Sequence, residues 1–544
     1  MINARTALFL LALLPAALLL RLESAAAAAR PNVVVIQTDD QSANTLRARF
    51  RGLNNRIHRA MPNTLDRIAR QGTEFTRYYA THPVCSPSRA SLLTGQYAHS
   101  SGLKKNSGPT GGWEGWQQLP LFNRNMAVDL QRNGYRTIHV GKFTNNYTLG
   151  DGQVETVIPP GWDRWVTASY GGHLYFYGFG MNINGVPAGP FGSMGYDLFN
   201  GEKDPPECSA ALLTQPTPAI RCDYNTDVYS RHAVAEIEAA GDQPFYLQLD
   251  YHAPHGDHRS PAGPEPATRH FDSAFKNRMP KMPGFNEGNI NDKPSWLKKI
   301  AEPMKKAESD RVHDRWVKEV ESLRAVDDGV GAIMKTLRKT GKLKNTYVIF
   351  LSDNGLFHGE HRLSSAKFLP YEPSARVPMM IRGPGIGKGK RSGEIVANID
   401  IAPTILGLTG TRSSDRLDGR SLKPFWKRPG RRTLRPLVLE SYVGPGDLEG
   451  EEKPDPALPG AGISVPAPPQ NFTGLRVGDY KYIEYQTGDR ELYDLKADPW
   501  ELNNRARNPR FRPIVRRLSA VLKARKDCRG SDCRKVINRL PARK

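Results

Sequence analysis

The chain has 544 residues, enough for one large α/β domain with a smaller one, or for about three average domains. Hydrophobic residues make up 38% and charged residues 24%, a globular composition that argues against a disordered chain. The formal net charge is +22, and a surface of that charge attracts polyanions such as nucleic acid, anionic lipid or sulfated polysaccharide.

The amino-terminal segment predicts export. Residues 1–29 contain an arginine near the start, an apolar run at 7–20 and an alanine run at 25–29, the pattern of a signal peptide. The apolar run is shorter than the roughly 20 residues of a membrane-spanning helix, so we expect no stable membrane insertion. The mature protein is predicted to start near Arg30 and to be secreted or periplasmic, and nucleic acid is then not an expected partner.

Five apolar segments lead into polar residues of catalytic type, and helical patterns lie between them at 226–240 and 316–341. In chain order the segments are NVVVIQTDD with Asp39 and Asp40, GTEFTRYYATHPVCSPSR with Cys85, YRTIHVGK with Lys142, PFYLQLDYHAPH with His255, and NTYVIFLSDNG with Asp353 and Asn354. This alternation predicts the α/β class, with a mainly parallel sheet covered by helices on both faces. The carboxyl ends of such strands would meet in one site.

The α/β pattern fades after about residue 410. Residues 443–470 are rich in Pro and Gly and predict a long loop or linker. The segment GLRVGDYKYIEYQTGDRELYDLKADPWELNN then predicts a small antiparallel sheet, followed by a helix around Arg512–Arg525 and a basic tail. The predicted division is a signal peptide at 1–29, a catalytic domain at 30–442, the linker, and a C-terminal subdomain at 471–544.

Oxygen-bearing side chains at two of the strand ends predict a metal site. Three carboxylates and one amide carbonyl are hard ligands that suit Ca²⁺, with Mg²⁺ possible, and no Cys/His ligand cluster for zinc accompanies them. These ligands are Asp39, Asp40, Asp353 and Asn354. Each pair alone would fit a turn or a helix cap, but two parallel strand ends together favour the metal site.

The five cysteines leave one without an explanation. Cys208 with Cys222, and Cys528 with Cys533, could each close a loop, as an exported protein allows. Cys85 is left over, and its thiolate would be a soft ligand in a hard, oxygen-rich site.

The segment around Cys85 carries a resemblance to a known family. Cys85-Ser86-Pro87-Ser88-Arg89, continued by SLLTG at 91–95, resembles the sulfatase signature Cys-x-Pro-x-Arg. In that family the cysteine is oxidised to 3-oxoalanine (formylglycine), and the resemblance implies the same conversion here by a formylglycine-generating enzyme. The hydrated aldehyde would then supply the oxygen nucleophile that a plain cysteine lacks.

Other segments are similar to further sulfatase motifs, from Pro31 to about Asn504. They are Gly141-Lys142, His252-Ala253-Pro254-His255, Ser352-Asp353-Asn354-Gly355 with Lys367, and GDRELYDLKADPWELNN. The resemblance implies an alkaline phosphatase-like fold, in which helices sandwich a large mixed, mainly parallel sheet and a smaller antiparallel sheet with a helix follows.

The resemblance also implies a role for each matched residue. Arg89 would bind the formylglycine hydrate, Lys142 and Lys367 would neutralise the sulfuryl oxygens, and His255 would protonate the departing alcohol. The metal would be held by the converted Cys85 together with Asp39, Asp40, Asp353 and Asn354. Of the other polar residues, His252 and His361 are expected near or outside the edge of the site, and His139 and Asp250 in packing or a polar network.

One departure concerns the base of the second step. Many arylsulfatases carry Gly-Lys-Trp-His, whereas the histidine position here is Thr144, so that base is not assigned. This segment, with IPPGW at 158–162 and ANID at 397–400, looks closer to the N-acetylglucosamine-6-sulfatase and heparan endosulfatase branch.

The predicted function is hydrolysis of sulfate esters, with a sulfated small molecule or glycan as substrate: a carbohydrate of the N-acetylglucosamine-6-sulfate kind or an aryl sulfate. Two alternatives stay open. One is a phosphonate or phosphate ester hydrolase of the same superfamily, and the other is an inactive protein that binds sulfated glycans. Intact Cys85, Arg89 and metal ligands argue against the inactive protein. No particular oligomeric state is predicted.

Overall fold

The computed structural model describes residues 30–51, 56–149, 153–169, 175–192, 223–257, 263–270, 279–442 and 471–542. The predicted signal peptide, the predicted linker, and the pair Cys208 and Cys222 lie outside the described residues. Within these ranges, no helix combines the length and the apolar character that crossing a membrane requires.

The strands of the described residues form three sheets. In chain order they are β1 Asn32–Thr38, β2 Arg49–Arg51, β3 Ile57–Arg59, β4 Thr73–Tyr79, β5 Arg136–Gly141, β6 Arg164–Ala168, β7 Phe179–Ile183, β8 Val186–Phe191, β9 Phe245–Asp250, β10 Thr346–Ser352, β11 Arg376–Val377, β12 Met379–Arg382, β13 Lys390–Ala397, β14 Leu437–Ser441, β15 Phe472–Val477, β16 Tyr480–Tyr485 and β17 Arg490–Asp494.

The α-helices range from single turns to a helix of 34 residues. Within the described ranges they are α1 Pro62–Thr64, α2 Cys85–Thr94, α3 Ala98–Ser101, α4 Gly112–Gln118, α5 Met126–Arg132, α6 Asn225–Ala239, α7 Ser295–Ile300, α8 Lys306–Lys339, α9 Glu372–Ala375, α10 Ile401–Thr409, α11 Lys423–Lys427, α12 Arg512–Arg525 and α13 Ser531–Arg534. Helices α6 and α8 cover most of the two helical stretches predicted from periodicity, which extend one and two residues beyond the observed helix ends.

The main sheet has 11 strands in the order β11-β4-β12-β10-β1-β9-β5-β6-β7-β8, with β13 paired to β4. Its centre, from β10 to β6, is parallel. Antiparallel pairs lie towards both ends, at β10-β12-β4 and at β6-β7-β8. The prediction of a large mixed, mainly parallel sheet is confirmed.

Strand β1 shows why the central strands carry apolar residues at consecutive positions. Every residue of this strand is buried. Val34 and Ile36 belong to the hydrophobic core that includes residues of α6 and α8, whereas Val33 and Val35 belong to the core that includes residues of α2, α5 and α10. Because successive side chains point to opposite faces, a strand covered by helices on both sides needs apolar residues at consecutive positions.

The C-terminal part forms a separate antiparallel sheet in the order β14-β15-β16-β17. Ile514, Leu518 and Leu522 of helix α12 are buried in the hydrophobic core of this sheet. Strand β14 precedes the predicted linker and pairs with β15, so the sheet takes strands from both sides of 443–470. The predicted disulfide between Cys528 and Cys533 is present.

Register aligns the strand ends that carry the polar residues. Thr38 of β1 lies opposite Ser352 of β10, and Gly141 of β5 lies opposite Asp250 of β9. Strand β4 runs in the same direction as β10, because each of them is antiparallel to β12. The segments that follow these five strands therefore leave the same edge of the sheet.

Candidate active site

The structure brings together all of the predicted site residues, each of them buried, at the carboxyl edge of the main sheet. They are Asp39, Asp40, Cys85, Arg89, Lys142, His255, Asp353, Asn354 and Lys367. The predicted convergence of the strand ends is therefore observed.

Cys85 is the first residue of helix α2, directly after the extended residue Val84. Its Sγ lies 3.4 Å from Oδ1 of Asp39 and 3.2 Å from Nζ of Lys367. Burial, and then the negative charge of Asp39, raise the pKa of the thiol well above its usual value. Since the thiolate is the reactive form of cysteine, an unmodified thiol in this position is a poor nucleophile at neutral pH.

Arg89 lies one helical turn after Cys85 and so faces the same side of α2. Its Nη2 lies 3.1 Å from Oδ2 of Asp39 and 2.9 Å from Oδ2 of Asp353. Its Nη1 donates to the carbonyl oxygen of Lys142 at 2.7 Å. Burial acts to lower the pKa of Arg89, but Asp353 and Asp39 outweigh it and raise that pKa, so the guanidinium stays charged and joins three strand ends.

The residues that follow β1 and the residues that follow β10 are hydrogen-bonded to each other. Asp40 has a φ of 62°, an uncommon conformation for a residue other than glycine, and its backbone N–H donates to Oδ1 of Asp353 at 3.2 Å. Asn354 Nδ2 donates to Oδ1 of Asp40 at 2.6 Å. The side-chain oxygen of Asn354 is buried and has no hydrogen-bond partner among the described residues. A buried amide oxygen in that state fits a metal ligand, because burial without a partner is costly.

Three carboxyl groups in this small volume have different pKa values. Burial acts to raise the pKa of Asp39, but Lys142 and Arg89 hold it well below its usual value. Burial raises the pKa of Asp40 against the opposing charge of Lys367, and burial with the charge of Asp39 raises the pKa of Asp353 to about 7. Lys142, Lys367 and Arg89 already pair with these three carboxylates, so it is the donor chemistry of the oxygens that fits a hard cation.

The tightest group of ligand atoms differs in part from the set predicted from the sequence. One ligand atom each from Asp39, Asp40, Cys85 and His255 lies within 4.8 Å of the others. His255 was predicted as a site residue that protonates the departing alcohol and not as a metal ligand, whereas Asp353 and Asn354, predicted as ligands, are not part of this tightest group.

Two buried lysines flank Cys85. Lys142 Nζ lies 2.7 Å from Oδ2 of Asp39, and Lys367 Nζ lies 3.1 Å from Oδ1 of Asp40. Gly141 gives Lys142 its position: with a φ of 101°, a Cβ at this glycine would lie 2.0 Å from the carbonyl oxygen of Asp250. Only glycine lets β5 and β9 end this close together.

His255 presents Nε2 to the site. Its Nδ1 lies 2.9 Å from the carbonyl oxygen of Gly256, which can only accept, so Nδ1 carries a proton. Nε2 lies 3.4 Å from Nζ of Lys367 and 3.6 Å from Oδ2 of Asp40. Burial, followed by the positive charges of Lys367 and Lys142, lowers the pKa of His255 well below its usual value. Without a bound anion, the imidazole is neutral, with Nε2 as an acceptor.

Sequence reasoning missed the hydrogen-bonded group beside Cys85. The backbone N–H of Ser86 donates to Oδ1 of Asn106 at 3.0 Å, and Ser86 Oγ donates to Oδ1 of Asn145 at 2.8 Å. Thr144, at the family's histidine position, donates from Oγ1 to Ser86 Oγ at 2.9 Å. The neighbouring position, Asn145, lies in the same motif and was the available signal, whereas Asn106 lies in no recognisable pattern.

Asp250 and His139 form a polar network next to Arg89. Asp250 Oδ2 lies 3.8 Å from Nη1 of Arg89 and 3.1 Å from Nε2 of His139, as expected for network residues. His361 is buried, and its Nδ1 lies 2.6 Å from Oε2 of Glu287. The ring of His252 lies 5.0 Å from that of His255.

Comparisons with known proteins agree with this geometry. A family model described as Sulfatase matches residues 31–411. An arylsulfatase of Volvox carteri is 31% identical over 94% of this chain and 77% of its own length. The N-acetylglucosamine-6-sulfatase of Homo sapiens is 29% identical over 94% of this chain and 87% of its own length. A solved structure of a protein in complex with its substrate D-glucosamine-2-N,6-O-disulfate superposes with a TM-score of 0.64 at 23% identity, covering 91% of this chain and 97% of that one, and has the same fold.

Proposed function

The chain belongs to the sulfatase family and is a sulfuric ester hydrolase, and on that premise we propose that it removes sulfate from carbohydrate esters of the N-acetylglucosamine-6-sulfate kind. The relatives with that activity and the solved complex with a 6-O-sulfated glucosamine support this substrate class. One observation carries the proposal: the signature cysteine has Asp39 Oδ1 at 3.4 Å and Lys367 Nζ at 3.2 Å, inside a buried cluster of acids and cations.

The proposed nucleophile is a hydroxyl of the formylglycine hydrate made from Cys85. The raised pKa of the buried thiol supports a conversion, because the thiol itself would be inert. One hydroxyl would attack sulfur while the bond between sulfur and the sugar oxygen breaks. The second hydroxyl would then lose its proton and re-form the aldehyde C=O, while the bond between the side-chain carbon and the sulfated oxygen breaks and sulfate leaves. Thr144 stands at the family's histidine position, but its hydroxyl donates a hydrogen bond to Ser86 Oγ. We therefore expect a residue other than Thr144 to accept this proton.

A hard divalent cation, Ca²⁺ in the first place, would stabilise negative charge on the sulfate as a Lewis acid when bound. Asp39, Asp40, Asp353 and Asn354 would hold it. The buried Asn354 oxygen without a hydrogen-bond partner among the described residues supports this assignment.

The cationic side chains would bind and orient the ester. Lys142 follows β5 and Lys367 lies in the loop after β10, so the two lysines reach the side chain of Cys85 from different segments. A sulfate group bound next to residue 85 would have a cation on either side. Arg89, held by Asp39 and Asp353, would fix the hydrated side chain of residue 85.

His255 would give a proton to the departing sugar oxygen. The bond from Nδ1–H to the Gly256 carbonyl leaves Nε2 as the atom that faces the reaction. The negative charge of a bound sulfate ester would raise the pKa of His255 from its low value, so protonation and substrate binding would be coupled.

We also propose that the protein is exported through the leader at 1–29 and that it depends on a formylglycine-generating enzyme for maturation. The test of the substrate class compares kcat/KM for N-acetylglucosamine-6-sulfate, an aryl sulfate and N-acetylglucosamine-6-phosphate, with Cys85→Ala as the inactive control. The account predicts the sugar sulfate as the best substrate. A clear preference for the phosphate would contradict the assignment, and turnover of the aryl sulfate alone would contradict the sugar specificity.

A further inference from the structure

A concave pocket lined mainly by arginines lies outside the active site, and we call it the arginine pocket. Its cavity volume is 260 Å³, and buried Leu65 and Ala69 form part of its lining. The charged lining residues are Arg47, Arg49, Arg59, Arg70, Lys390, Arg391 and Glu74. Cations around an apolar lining suit a sugar unit that carries anionic groups.

Carboxylates neutralise only part of this charge. Glu74 is shared by Arg47 at 2.6 Å and Arg391 at 3.3 Å. Outside the lining, Asp66 is shared in the same way by Arg59 and Arg70 at 2.5 and 3.0 Å. Two carboxylates thus face four arginines, before Arg49 and Lys390 are added.

The arginines that share Glu74 remain accessible. The side chains of Arg47 and Arg391 are 53% and 67% exposed, so their guanidinium groups can meet a ligand from solvent. Arginine pairs with the oxygens of tetrahedral and planar anions through two parallel N–H donors, which makes sulfate and carboxylate groups suitable ligands.

The arginine pocket is remote from Cys85. Glu74 and Arg391 lie opposite each other near the amino ends of β4 and β13, whereas Cys85 follows the carboxyl end of β4. Strand β4 continues from Glu74 to Tyr79, and a strand rises about 3.3 Å per residue, so the separation is on the order of 15 Å or more. A group bound in the arginine pocket is therefore not the ester that reacts.

We propose that the arginine pocket binds sulfate or carboxylate groups of a polymeric glycan, at a part of the polymer other than the reacting sugar. This inference rests on the proposed function, since it names a second contact for the same class of substrate. A polymer that engages the pocket raises the local concentration of its esters at the enzyme, which a monosaccharide cannot do. The net charge of +22 also favours binding of an anionic polymer, but the charges that produce it are spread over the whole chain.

The test reverses two charges of the pocket for which no ion pair is found among the described residues. The double variant Arg49→Glu with Lys390→Glu is compared with Arg516→Glu with Arg517→Glu, an equal change at exposed positions of α12. Affinity for size-defined heparin oligosaccharides is measured at several salt concentrations. Turnover is measured on the polymer and on N-acetylglucosamine-6-sulfate.

The pocket variant is expected to lose about tenfold in affinity for the longer oligosaccharides and in kcat/KM on the polymer, with a weaker salt dependence. Turnover of the monosaccharide and the melting temperature should stay unchanged, and the α12 variant should bind as the parent does. Equal losses in both variants, or no loss in the pocket variant, would overturn the proposal, and so would an equal loss of affinity for an RNA of matched charge. Because binding is measured without turnover, failure of the proposed function to hydrolyse sugar sulfates would be recognised separately.

Discussion

Lys367 holds its ammonium group 3.2 Å from Sγ of Cys85 and 3.1 Å from Oδ1 of Asp40. The lysine reaches this point from the loop after β10, whereas Cys85 opens helix α2 after β4. A buried cation between the nucleophile position and an acidic group is placed to balance negative charge that develops on a transferred sulfuryl group.

Lys367→Met should therefore lower kcat by about 10²–10³-fold, the usual effect of removing one stabilising donor. Kinetics on an aryl sulfate measure the effect. Lys481→Met is the matched control, because Lys481 is equally buried but pairs with Glu372 and Glu501. The control should be less stable than the parent protein, but its folded fraction should keep the parent's kcat. Equal kcat values in the two variants would show that Lys367 takes no part in the reaction.

Asp250→Asn tests the network beneath Arg89. The change keeps the shape of the side chain but removes the charge that faces Arg89 Nη1 at 3.8 Å and His139 at 3.1 Å. Loss of such a supporting group should lower kcat by about 10–100-fold with little change in KM. The fraction of Cys85 converted to formylglycine must be measured in the same variant. If incomplete conversion alone accounts for the fall in kcat, Asp250 does not act by positioning Arg89.

Ca²⁺ should raise the melting temperature, and more at pH 8 than at pH 5. Burial and neighbouring Asp39 raise the pKa of Asp353 to about 7, so Asp353 holds a proton at pH 5 that a cation must displace, and the pKa of Asp40 is shifted in the same direction by burial. At a concentration about 100 times Kd, the stabilisation would be about 2.7 kcal/mol. Thermal melts after chelation and after addition of Ca²⁺ measure it. No shift at pH 8, or an undiminished shift in Asp353→Asn, would count against the proposed ligand set.

His82 should make stability depend on pH below neutrality. Burial lowers the pKa of His82 to about 4, against the charge of Glu440, whereas an unfolded histidine titrates near 6.5. The unfolded chain then binds more protons between these values, so the contribution is fully present above about pH 6.5 and is lost as the pH falls to about 4. The loss would reach about 3 kcal/mol.

Denaturant unfolding at several pH values checks this effect. His82→Asn should flatten the pH dependence of the unfolding free energy in that window. An unchanged slope in His82→Asn would show that other groups produce the acid sensitivity.

The sequence predicted the fold and the site where local pattern and parallel register act together. Asp39 and Asp353 each follow a continuous apolar strand, and the pairing of Thr38 with Ser352 makes them neighbours. Asn106 accepts from the N–H of Ser86 but follows no strand and belongs to no periodic segment, so its contact depends on tertiary packing alone.

Two further features of the structure depend on contacts between distant parts of the chain. Strand β14 pairs with β15 across the predicted linker, and a pairing across such an insertion has no local signal. The arginine pocket draws its charges from positions 47–74 and 390–391, and the contact between these two parts of the chain has no local signal in the sequence.

The conversion of Cys85 is the central claim, and the mass of the tryptic peptide 78–89 tests it most directly. The protein is produced with a formylglycine-generating enzyme, and a known substrate of that enzyme serves as the control. The account predicts that residue 85 has lost its sulfur and two hydrogens, has gained one oxygen and reacts as an aldehyde. An intact cysteine in this peptide, with the control fully converted, would contradict the account.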